Sequence, residues 1–515
     1  MGLGEHNLAA LGEKSFERHG DHETIWFEGR WYSSGELRDR THRLASGFAE
    51  LGIEPGDRVV VMMANGPEVA ISYGALWRAG AAITPAIFLL SPDEIRHILE
   101  DSEARAVITT PEFVDTIKGA ASSVTSVKWI ISTGAEQDGV VSLAELERSR
   151  PGEIVPRSDD DLAALMYTGG TTGRAKGVML SHSNWWHAGK AAFEASHVPG
   201  VTRSLVCLPL SHSFGLLVSV VGLHSTEPQQ TILQRWPDPN EMLPLLQEHK
   251  VQVAPLVPSM IQMLLALPLE DYDLSSLRHI VSGASPLSPE VARELERRAP
   301  GLEVREGYGL TETSASFTVN PPGARKLGSV GKPMPGFEVR LVDDEGNEVA
   351  DGGAGEVCAR SKSIMQGYWK SPETTSEVIK DGWLHTGDIG RLDDEGYLYI
   401  VDRKKDLILR GGFNVFPRDV EDVLLEHPAV AVAGVVGKPD PVRGEEVIAF
   451  VQLTPGQEIT PDDLIQFARE RLGKYKYPRE VRIVPNVPLT PVGKIDRKVI
   501  RAQVLEEGPV TPSSG

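Results

Sequence analysis

The sequence predicts an α/β protein with a large N-terminal domain in which helices sandwich parallel-type sheets, a small β-rich subdomain, and a small α+β C-terminal domain. Three observations predict this architecture. Helical and strand patterns alternate up to about residue 282, and short strands separated by Asp and Gly turns follow beyond about Gly323. A compact α+β stretch of about a hundred residues then follows residues 402–406.

The first elements follow from the spacing of apolar residues. Apolar positions three and four apart between Leu37 and Leu51 predict an amphipathic helix that ends at Gly52. The apolar run at residues 58–63 predicts a buried strand, and residues 67–78 predict the next helix. Further short strands are predicted at residues 81–84, 106–109, 129–132, 162–166, 204–208, 251–254 and 279–282. Strands that alternate with helices form crossover units, so the sheets are predicted to be largely parallel.

The β-rich subdomain is predicted from short strands at residues 337–342, 355–359 and 397–401. The stretch after it opens with the charged segment Asp-Arg-Lys-Lys-Asp at 402–406, as an exposed linker or hinge would. The polar last ten residues are expected to fray.

Composition limits the class of protein. The 515 residues are 41% apolar and 24% charged, which is typical of globular proteins and excludes a disordered, collagenous or disulfide-built chain. Lys and Arg number 52 and Asp and Glu 72, and this net charge of −20 disfavours nucleic acid as the main partner. Cys207 and Cys358 are too few for a thiolate metal site and fit a reducing cytosol.

The residues at both ends of the sequence give an expectation for where in the cell the protein is located. The first residues lack a charged segment followed by an apolar core, and the final Pro-Ser-Ser-Gly is neither a peroxisomal nor a prenylation signal. The chain contains no run of about 18 apolar residues, so no integral membrane segment is predicted. We therefore expect a cytoplasmic protein, with monomer and homodimer left open.

The strongest local motif is Tyr-Thr-Gly-Gly-Thr-Thr-Gly-Arg-Ala-Lys-Gly at residues 167–177, directly after the apolar run 162–166. Glycines let backbone amides approach a phosphate, threonine hydroxyls add donors, and Arg174 and Lys176 neutralise negative charge. The motif therefore predicts a triphosphate cradle. It is not a Walker loop, because no Gly-Lys pair in the chain is followed by Ser or Thr. An exposed polar turn is the weaker alternative.

Three further motifs suit nucleotide chemistry, although each alone also fits a solvated turn. In the segment 306–312, Tyr308 offers a flat face to a purine, Thr311 a hydroxyl to a phosphate, and Glu312 an oxygen ligand to Mg²⁺. In the segment 383–388, Asp388 at a tight turn could accept both hydroxyls of a ribose. The segment 488–497 presents Lys494 on a loop stiffened by Pro and Gly.

Taken in order, these motifs resemble the adenylate-forming superfamily, which includes acyl-CoA synthetases, aryl-CoA ligases, adenylation domains and luciferases. The resemblance rests on the Thr/Gly-rich loop and on residues 308–312, 386–388, 402–406 and 493–494, and it extends from about Tyr32 to Arg501. It is strongest to the branch of fatty-acid–CoA ligases.

The resemblance implies a role for each matching residue. The β- and γ-phosphates of ATP would be held by Thr168, Gly169, Gly170, Thr171, Thr172, Gly173 and Lys176. Adenine would stack on Tyr308 in a pocket bordered by Gly283, Ala284 and Ser285, and the ribose would be bound by Asp388 and Arg403. Thr311 would contact the α-phosphate and Glu312 would hold Mg²⁺. Lys494 would reach between the substrate carboxylate and the α-phosphate, where an ammonium neutralises developing charge.

The resemblance also implies two half-reactions and a mobile C-terminal domain. A carboxylate attacks the α-phosphate of ATP to give an acyl-adenylate and pyrophosphate, and the thiol of coenzyme A then displaces AMP. Lys405 falls at the family's hinge, which predicts domains at 1–404 and 405–515. Rotation about that hinge would turn the loop that contains Gly411, Gly412 and Phe413 towards the thiol tunnel.

Residues 208–215 resemble the family segment that lines the acyl pocket, with His212 at its mouth and in a catalytic role. Further pocket residues would be Phe214, Leu217, Val218, Met260 and Gly307. These side chains offer little hydrogen bonding, which favours an apolar acid, most simply a medium- or long-chain fatty acid, over a hydroxylated aromatic acid. About half of them fit plain helix core equally well.

The acceptor is predicted to be free CoA, because about twenty residues after Lys494 leave no room for a fused carrier domain. A ligase that loads a separate carrier protein and an aryl-CoA ligase are the alternatives. A Ser/His hydrolase is disfavoured because the chain contains no Gly-x-Ser-x-Gly motif. A non-enzymatic ATP sensor is disfavoured because Lys494, Glu312 and Asp388 are all present. The partners expected are therefore a small carboxylic acid, ATP and CoA.

Overall fold

The computed structural model describes residues 2–134, 137–168, 174–349, 352–411, 413–489 and 495–506. Its contacts divide the chain into two compact units, Met1–Val339 with Ala359–Leu384 and Arg340–Cys358 with His385–Gly515. This division does not test the boundary predicted at Lys405, which stays a prediction. The predicted α/β class is confirmed.

The helices in chain order are α1 (Leu8–His19), α2 (Ser34–Glu50), α3 (Pro67–Arg78), α4 (Pro92–Asp101), α5 (Val114–Ala121), α6 (Leu143–Leu146), α7 (His182–Ser196), α8 (Ser213–His224), α9 (Pro239–Glu248), α10 (Pro258–Leu265), α11 (Pro289–Arg298), α12 (Pro372–Val378), α13 (Pro417–Leu425), α14 (Pro461–Arg471) and α15 (Arg497–Glu506). Short 3₁₀ turns lie at Pro111–Phe113, Leu269–Asp271, Thr311–Thr313 and Lys404–Asp406.

The strands up to the end of the second sheet are β1 (Glu23–Phe27), β2 (Arg30–Ser33), β3 (Arg58–Met62), β4 (Ala82–Pro85), β5 (Ala106–Thr109), β6 (Trp129–Ser132), β7 (Val141–Ser142), β8 (Leu162–Thr168), β9 (Lys176–Ser181), β10 (Arg203–Val206), β11 (Gln230–Leu233), β12 (Val253–Leu256), β13 (His279–Ser282), β14 (Glu303–Leu310), β15 (Ala315–Val319) and β16 (Lys332–Pro333). The remaining strands are β17 (Glu338–Val342), β18 (Ala354–Arg360), β19 (Gly367–Tyr368), β20 (Ile379–Lys380), β21 (Trp383–Leu392), β22 (Leu398–Arg403), β23 (Ile408–Arg410), β24 (Phe413–Val415), β25 (Val430–Asp440), β26 (Gly444–Leu453) and β27 (Glu480–Ile483).

The first sheet has the order β19-β9-β8-β4-β3-β5-β6-β7. Its strands are parallel from β8 through β7, and β9 and β19 add to it in antiparallel fashion. Val59, Val60 and Val61 are all fully buried, as expected for a parallel strand with both faces covered. The carboxyl ends of these parallel strands share one edge, so the Thr/Gly-rich loop after β8 begins at that edge.

The second sheet has the order β16-β15-β14-β13-β12-β10-β11-β1-β2. Strands β14, β13, β12, β10, β11 and β1 are parallel, and antiparallel strands close both sides. On one face, Ile280 of β13 and Val304 of β14 join a buried core with Met242, Ile261 and Leu295 from α9, α10 and α11. Because side chains alternate along a strand, the neighbours of Ile280 and Val304 point to the other face.

Two smaller sheets complete the fold. One has the order β17-β18-β21-β20 with β22 paired to β21, and the other has the order β24-β23-β26-β25 with β27 paired to β26. The second contains its own apolar core, which helices α13 and α14 cover with Val420, Leu424 and Leu464. Among the residues that the structure describes, no helix is both long and apolar enough to cross a membrane.

The amino-terminal helix packs beside α7 and α8, which carry the buried His182 and the half-buried His187 and His224. Asn7 caps α1 by accepting hydrogen bonds from the first-turn amides, and the Leu8 amide donates to Nδ1 of His182 at 3.3 Å. Burial lowers the pKa of His182 to about 4, and the same cause lowers the pKa values of His187 and His224 to about 4. These side chains are therefore neutral in the folded protein at neutral pH.

We predict that acidification from pH 6.5 to pH 4 destabilises the fold. The pKa values of these three histidines in the folded state lie below their ordinary value of about 6.5, so the unfolded chain binds more protons within this window. The free energy of unfolding should therefore rise with pH between 4 and 6.5. Urea titrations at pH 4.5 and pH 7 measure the effect, and equal stability at both values would contradict the prediction.

Candidate active site

The Thr/Gly-rich loop connects two paired strands of the first sheet. Strands β8 and β9 are antiparallel, and Thr168 at the end of β8 lies opposite Lys176 at the start of β9. Two of the predicted phosphate-binding residues are thus brought together at one end of the loop. The others, Gly169, Gly170, Thr171, Thr172 and Gly173, lie outside the described residues.

Lys176, Tyr368 and Glu312 form one polar cluster. Strand β19 pairs with β9 and sets Tyr368 opposite Val178, where the Lys176 ammonium lies 5.3 Å from the centre of the Tyr368 ring. The Tyr368 hydroxyl donates a hydrogen bond of 2.7 Å to Oε1 of Glu312. Burial and the Glu312 charge raise the pKa of Tyr368, so the phenol stays protonated and the carboxylate keeps its donor. Tyr368 thus contacts both the Lys176 ammonium and the Glu312 carboxylate.

Tyr308 lies within strand β14 rather than in a turn after it. Antiparallel pairing with β15 extends β14 to Leu310. A Cβ at Gly309 would lie 1.9 Å from the Ala315 carbonyl oxygen, so only glycine permits this close approach of the two strands. The Tyr308 ring packs edge-on against Phe317 at 5.0 Å, which fixes one side of the ring. Thr311 and Glu312 follow in a 3₁₀ turn.

The acyl-pocket segment is anchored to the first sheet by Asn65. The Asn65 amide donates to the carbonyl oxygens of Leu208 at 2.9 Å and Gln234 at 3.1 Å, and its oxygen accepts from the Leu210 amide at 2.9 Å. The segment then turns into α8, where Nδ1 of His212 accepts a hydrogen bond of 3.4 Å from the Phe214 amide. His212 therefore caps α8, the helix that carries the predicted pocket residues Phe214, Leu217 and Val218.

Phe214, Gly283 and Gly307 meet at the carboxyl ends of β13 and β14. A Cβ built on Gly283 would lie 3.3 Å from the Phe214 ring and 3.4 Å from the Gly307 carbonyl oxygen. Ala284, which follows Gly283, is a non-glycine residue in the left-handed region, with φ of +67°, and Ser285 is half-buried. Gly283, from the predicted adenine-pocket segment, thus lies next to two predicted acyl-pocket residues, Phe214 and Gly307.

The other predicted pocket residues differ in their surroundings. Leu217 is buried and Val218 is half-buried on α8. Met260 is 8% exposed and joins the core formed with α9 and α11, and its sulfur lies 3.7 Å from that of Cys207. The role of each in binding an acid stays a prediction.

Asp388 and Arg403 lie opposite each other on β21 and β22 of the second unit. Nε of Arg403 is 3.4 Å from Oδ1 of Asp388, whose side chain is buried. The tight turn predicted at this segment is wrong, because residues 383–392 form one strand that pairs with β22. Gly387, with φ of +71°, supplies the local distortion. The two residues predicted to bind the ribose are therefore neighbours.

Glu356 supports the strand segment that carries Asp388. Its Oε1 accepts a hydrogen bond of 3.1 Å from the Gly387 amide, and its Oε2 lies 3.3 Å from Nδ1 of His385 and 3.3 Å from the Lys404 ammonium. Sequence reasoning missed both Glu356 and Tyr368. Only the Gly-Glu pair within β18 and the Gly-Tyr pair of β19 could have indicated them.

The predicted hinge residue Lys405 and the predicted tunnel residues Gly411 and Phe413 lie in the second unit as well. Lys405 is within the 3₁₀ turn Lys404–Asp406. The Gly411 amide donates to the Arg443 carbonyl oxygen at 2.7 Å, and the exposed Phe413 ring packs against Tyr475 at 4.9 Å. Gly412 and Lys494 lie outside the described residues, so their predicted roles stay predictions.

Comparison with known families decides the class. The sequence matches the family described as AMP-binding enzyme over residues 12–369, and the AMP-binding enzyme C-terminal domain over residues 419–494. The chain belongs to the AMP-binding enzyme family. The resemblance seen in the sequence motifs is thereby confirmed, and this family member is an AMP-forming carboxylic acid–CoA ligase.

Similar proteins agree over nearly the whole chain of this AMP-binding enzyme. A feruloyl-CoA synthase of Amycolatopsis sp is 36% identical over 472 residues, which cover 90% of this chain and 92% of the relative. A long-chain-fatty-acid–CoA ligase of Salmonella typhimurium is 35% identical over 530 residues, which cover 96% and 94%. The crystal structure of ATP-bound MatB from Rhodopseudomonas palustris superposes with a TM-score of 0.88 at 31% identity, over 96% of this chain and 98% of that one.

Proposed function

We propose that this enzyme activates a carboxylic acid with an apolar body as its acyl-adenylate and passes the acyl group to CoA. A carboxylate is a poor electrophile because its oxygen is a poor leaving group. Attack of a carboxylate oxygen on the α-phosphate of ATP forms the mixed anhydride and releases pyrophosphate. The CoA sulfur then attacks the acyl carbon, and AMP leaves with the oxygen that the acid supplied.

The observation that carries this proposal is the cluster of Lys176, Tyr368 and Glu312. It sets a cation and an oriented carboxylate at the end of a loop rich in Gly and Thr. Backbone amides and a lysine suit polyphosphate, and a single carboxylate is how Mg²⁺ is commonly bound together with substrate phosphates. Glu312 would hold the Mg²⁺ of MgATP, and the ion would offset phosphate charge.

The nucleoside end is proposed to use Tyr308, Asp388 and Arg403. The Tyr308 ring would stack on adenine, and its contact with Phe317 would hold it in place. Asp388 would accept hydrogen bonds from the ribose hydroxyls, and its neighbour Arg403 would hold the carboxylate in position. Domains at 1–404 and 405–515, joined at Lys405, would allow Lys494 to leave once the adenylate has formed.

For the acid, a medium- or long-chain fatty acid is the first candidate. The pocket helix α8 offers Leu217 and Val218 and no charged side chain between Ser213 and Leu223. The relative from Salmonella named as a long-chain-fatty-acid–CoA ligase supports this substrate class. An aryl acid is the second candidate, favoured by the relative named as a feruloyl-CoA synthase. A carrier protein is the alternative acceptor.

The experiment is a panel of acids from acetate through octanoate and palmitate to cinnamate, assayed by pyrophosphate release with ATP and Mg²⁺. Each active acid is then incubated with CoA or with a phosphopantetheinylated carrier protein, and thioesters are identified by mass. The proposal expects acyl-CoA. Pyrophosphate release without any acyl-CoA, but with acylated carrier, would overturn the CoA half of the proposal.

Glu312→Ala is predicted to raise the Mg²⁺ concentration needed for half-maximal rate by about tenfold. The variant removes the carboxylate that would hold the ion, whereas Tyr368→Phe keeps it and removes only its hydrogen-bond donor. Tyr368→Phe should therefore shift the titration in the same direction. Glu373→Ala, an exposed carboxylate in the first turn of α12, is the matched control and should leave the curve in place. An unchanged Mg²⁺ titration in Glu312→Ala would refute the ligand role.

A further inference from the structure

Helix α4 buries an apolar stripe and presents two polar side chains beside it. Ile95, Ile98 and Leu99 are buried in an apolar core that includes residues of β3 and β5. His97 and Asp101 are one helical turn apart, so they lie on the same face of the helix. Both side chains are half-buried, and each contacts a residue that flanks the Thr/Gly-rich loop.

His97 holds the backbone at the end of this loop. Its Nε2 atom donates a hydrogen bond of 2.8 Å to the carbonyl oxygen of Ala175. A carbonyl oxygen can only accept, so this bond requires the proton on Nε2. Ala175 directly precedes Lys176, the first residue of β9 and one of the predicted phosphate-binding residues. His97 therefore fixes the backbone from which the Lys176 side chain projects.

Asp101 holds the start of the loop. Its Oδ2 accepts a hydrogen bond of 2.6 Å from the Tyr167 hydroxyl. Burial and the Asp101 charge raise the pKa of Tyr167, so the phenol stays protonated and remains the donor. Tyr167 directly precedes Thr168, the last residue of β8 and another predicted phosphate-binding residue. The Tyr167 ring also lies edge-on to the His97 ring, with centres 6.2 Å apart.

The end of α4 also contacts the segment that follows Tyr368. The Asp101 carbonyl oxygen accepts a hydrogen bond of 2.9 Å from the Trp369 indole. The Trp369 amide in turn donates to the Gly177 carbonyl oxygen at 2.7 Å. Tyr368, the preceding residue, donates to Glu312. One turn of helix thus contacts both ends of the loop and the segment that orients the proposed Mg²⁺ ligand.

We propose that His97 and Asp101 are positioning residues that set Lys176 and Thr168 for the β- and γ-phosphates of ATP. The inference rests on the proposed function and gives α4 a part in its first half-reaction. Neither side chain is assigned a contact with the nucleotide, because each acts through the residue that it binds. AMP lacks the β- and γ-phosphates, so this role predicts an effect on ATP binding and none on AMP binding.

The test measures the dissociation constants of ATP and of AMP, each with Mg²⁺, by isothermal titration calorimetry of the full-length enzyme. His97→Ala removes the donor to Ala175, and Tyr167→Phe removes the donor to Asp101 while it keeps the ring. We expect each variant to weaken ATP binding by about threefold to tenfold, as for the loss of one hydrogen bond. The dissociation constant of AMP should stay at its wild-type value in both variants.

His97→Gln keeps an amide N–H that can reach the same carbonyl oxygen, so it should restore most of the ATP affinity lost in His97→Ala. It also provides a readout if His97→Ala does not fold. Arg96→Ala is the matched control, because Arg96 lies beside His97 on α4 and pairs with the exposed Asp93. At about 0.15 M salt such an exposed charge is largely screened, and both dissociation constants should stay unchanged.

Two results would overturn the inference. One is ATP binding as tight in His97→Ala and Tyr167→Phe as in the wild type. The other is an equal loss of ATP and AMP affinity, which would assign these side chains to the general stability of the fold. Either result, in an enzyme whose wild type binds both nucleotides, removes only the role of α4. A wild type that binds neither nucleotide removes the proposed function and the inference together.

Discussion

Replacing Lys494 with alanine is expected to abolish acid-dependent exchange between ATP and pyrophosphate while sparing thioester formation from preformed acyl-adenylate. In the first half-reaction, a carboxylate approaches a phosphate, and both carry negative charge. An ammonium held between them stabilises the transition state, and removal of one such group costs about a hundredfold to a thousandfold in rate. The second half-reaction starts from the mixed anhydride, in which the carboxylate charge is already lost, so it does not need the same cation.

The two halves are measured separately, by isotope exchange from labelled pyrophosphate into ATP and by consumption of synthetic acyl-adenylate with CoA. Lys498→Ala is the matched control, because Lys498 is exposed on α15 four residues further along the chain. It should behave as wild type in both assays. Exchange that survives in Lys494→Ala would remove the role assigned to Lys494.

Lys405→Pro is expected to leave adenylate formation within about twofold of wild type and to reduce acyl transfer to CoA by about a hundredfold. Proline fixes φ near −65° and removes an amide donor, so it prevents the backbone rotation that a hinge requires. Lys405 lies in the short 3₁₀ turn Lys404–Asp406, directly after β22. A defect confined to the second half-reaction would identify rotation rather than nucleotide binding as the affected step.

Lys405→Ala separates the backbone effect from the loss of the side chain. Alanine leaves φ free, so this variant should carry out both half-reactions at rates close to wild type. Equal loss of both steps in Lys405→Pro would contradict the hinge assignment, and loss of transfer in Lys405→Ala would assign the effect to the lysine side chain instead.

Local patterns were sufficient to predict the layered α/β architecture. The apolar run at residues 58–63 appears as β3, and the predicted helix at residues 67–78 matches α3. The helix predicted from Leu37 begins three residues earlier, because Ser33 caps it by accepting a hydrogen bond from the Glu36 amide. Periodicity and capping are local properties, and for that reason they can be read from sequence.

Strand ends that depend on a distant partner could not be predicted in the same way. Strand β14 continues through Tyr308 because β15 returns beside it, and β21 continues through Asp388 because β22 pairs with it. In both segments glycine and polar residues suggest a turn, and cross-strand hydrogen bonding overrides that preference. Local patterns therefore did not predict the conformation of these two segments, and the roles of their residues stay predictions.

The contacts that complete the candidate site are also non-local. Tyr368 reaches Glu312 only because β19 joins the edge of the first sheet, and no spacing rule connects these two positions. The burial of Arg305 in β14 is another property that local sequence does not indicate, because arginine is mostly found at the surface.

The most direct test of the account is the fate of the carboxylate oxygen. An active acid labelled with ¹⁸O in its carboxylate is incubated with the enzyme, ATP, Mg²⁺ and CoA, and the nucleotide products are analysed by mass. Attack on the α-phosphate predicts one ¹⁸O atom in each AMP released and none in pyrophosphate. Label in orthophosphate together with ADP, or unlabelled AMP, would contradict an acyl-adenylate intermediate.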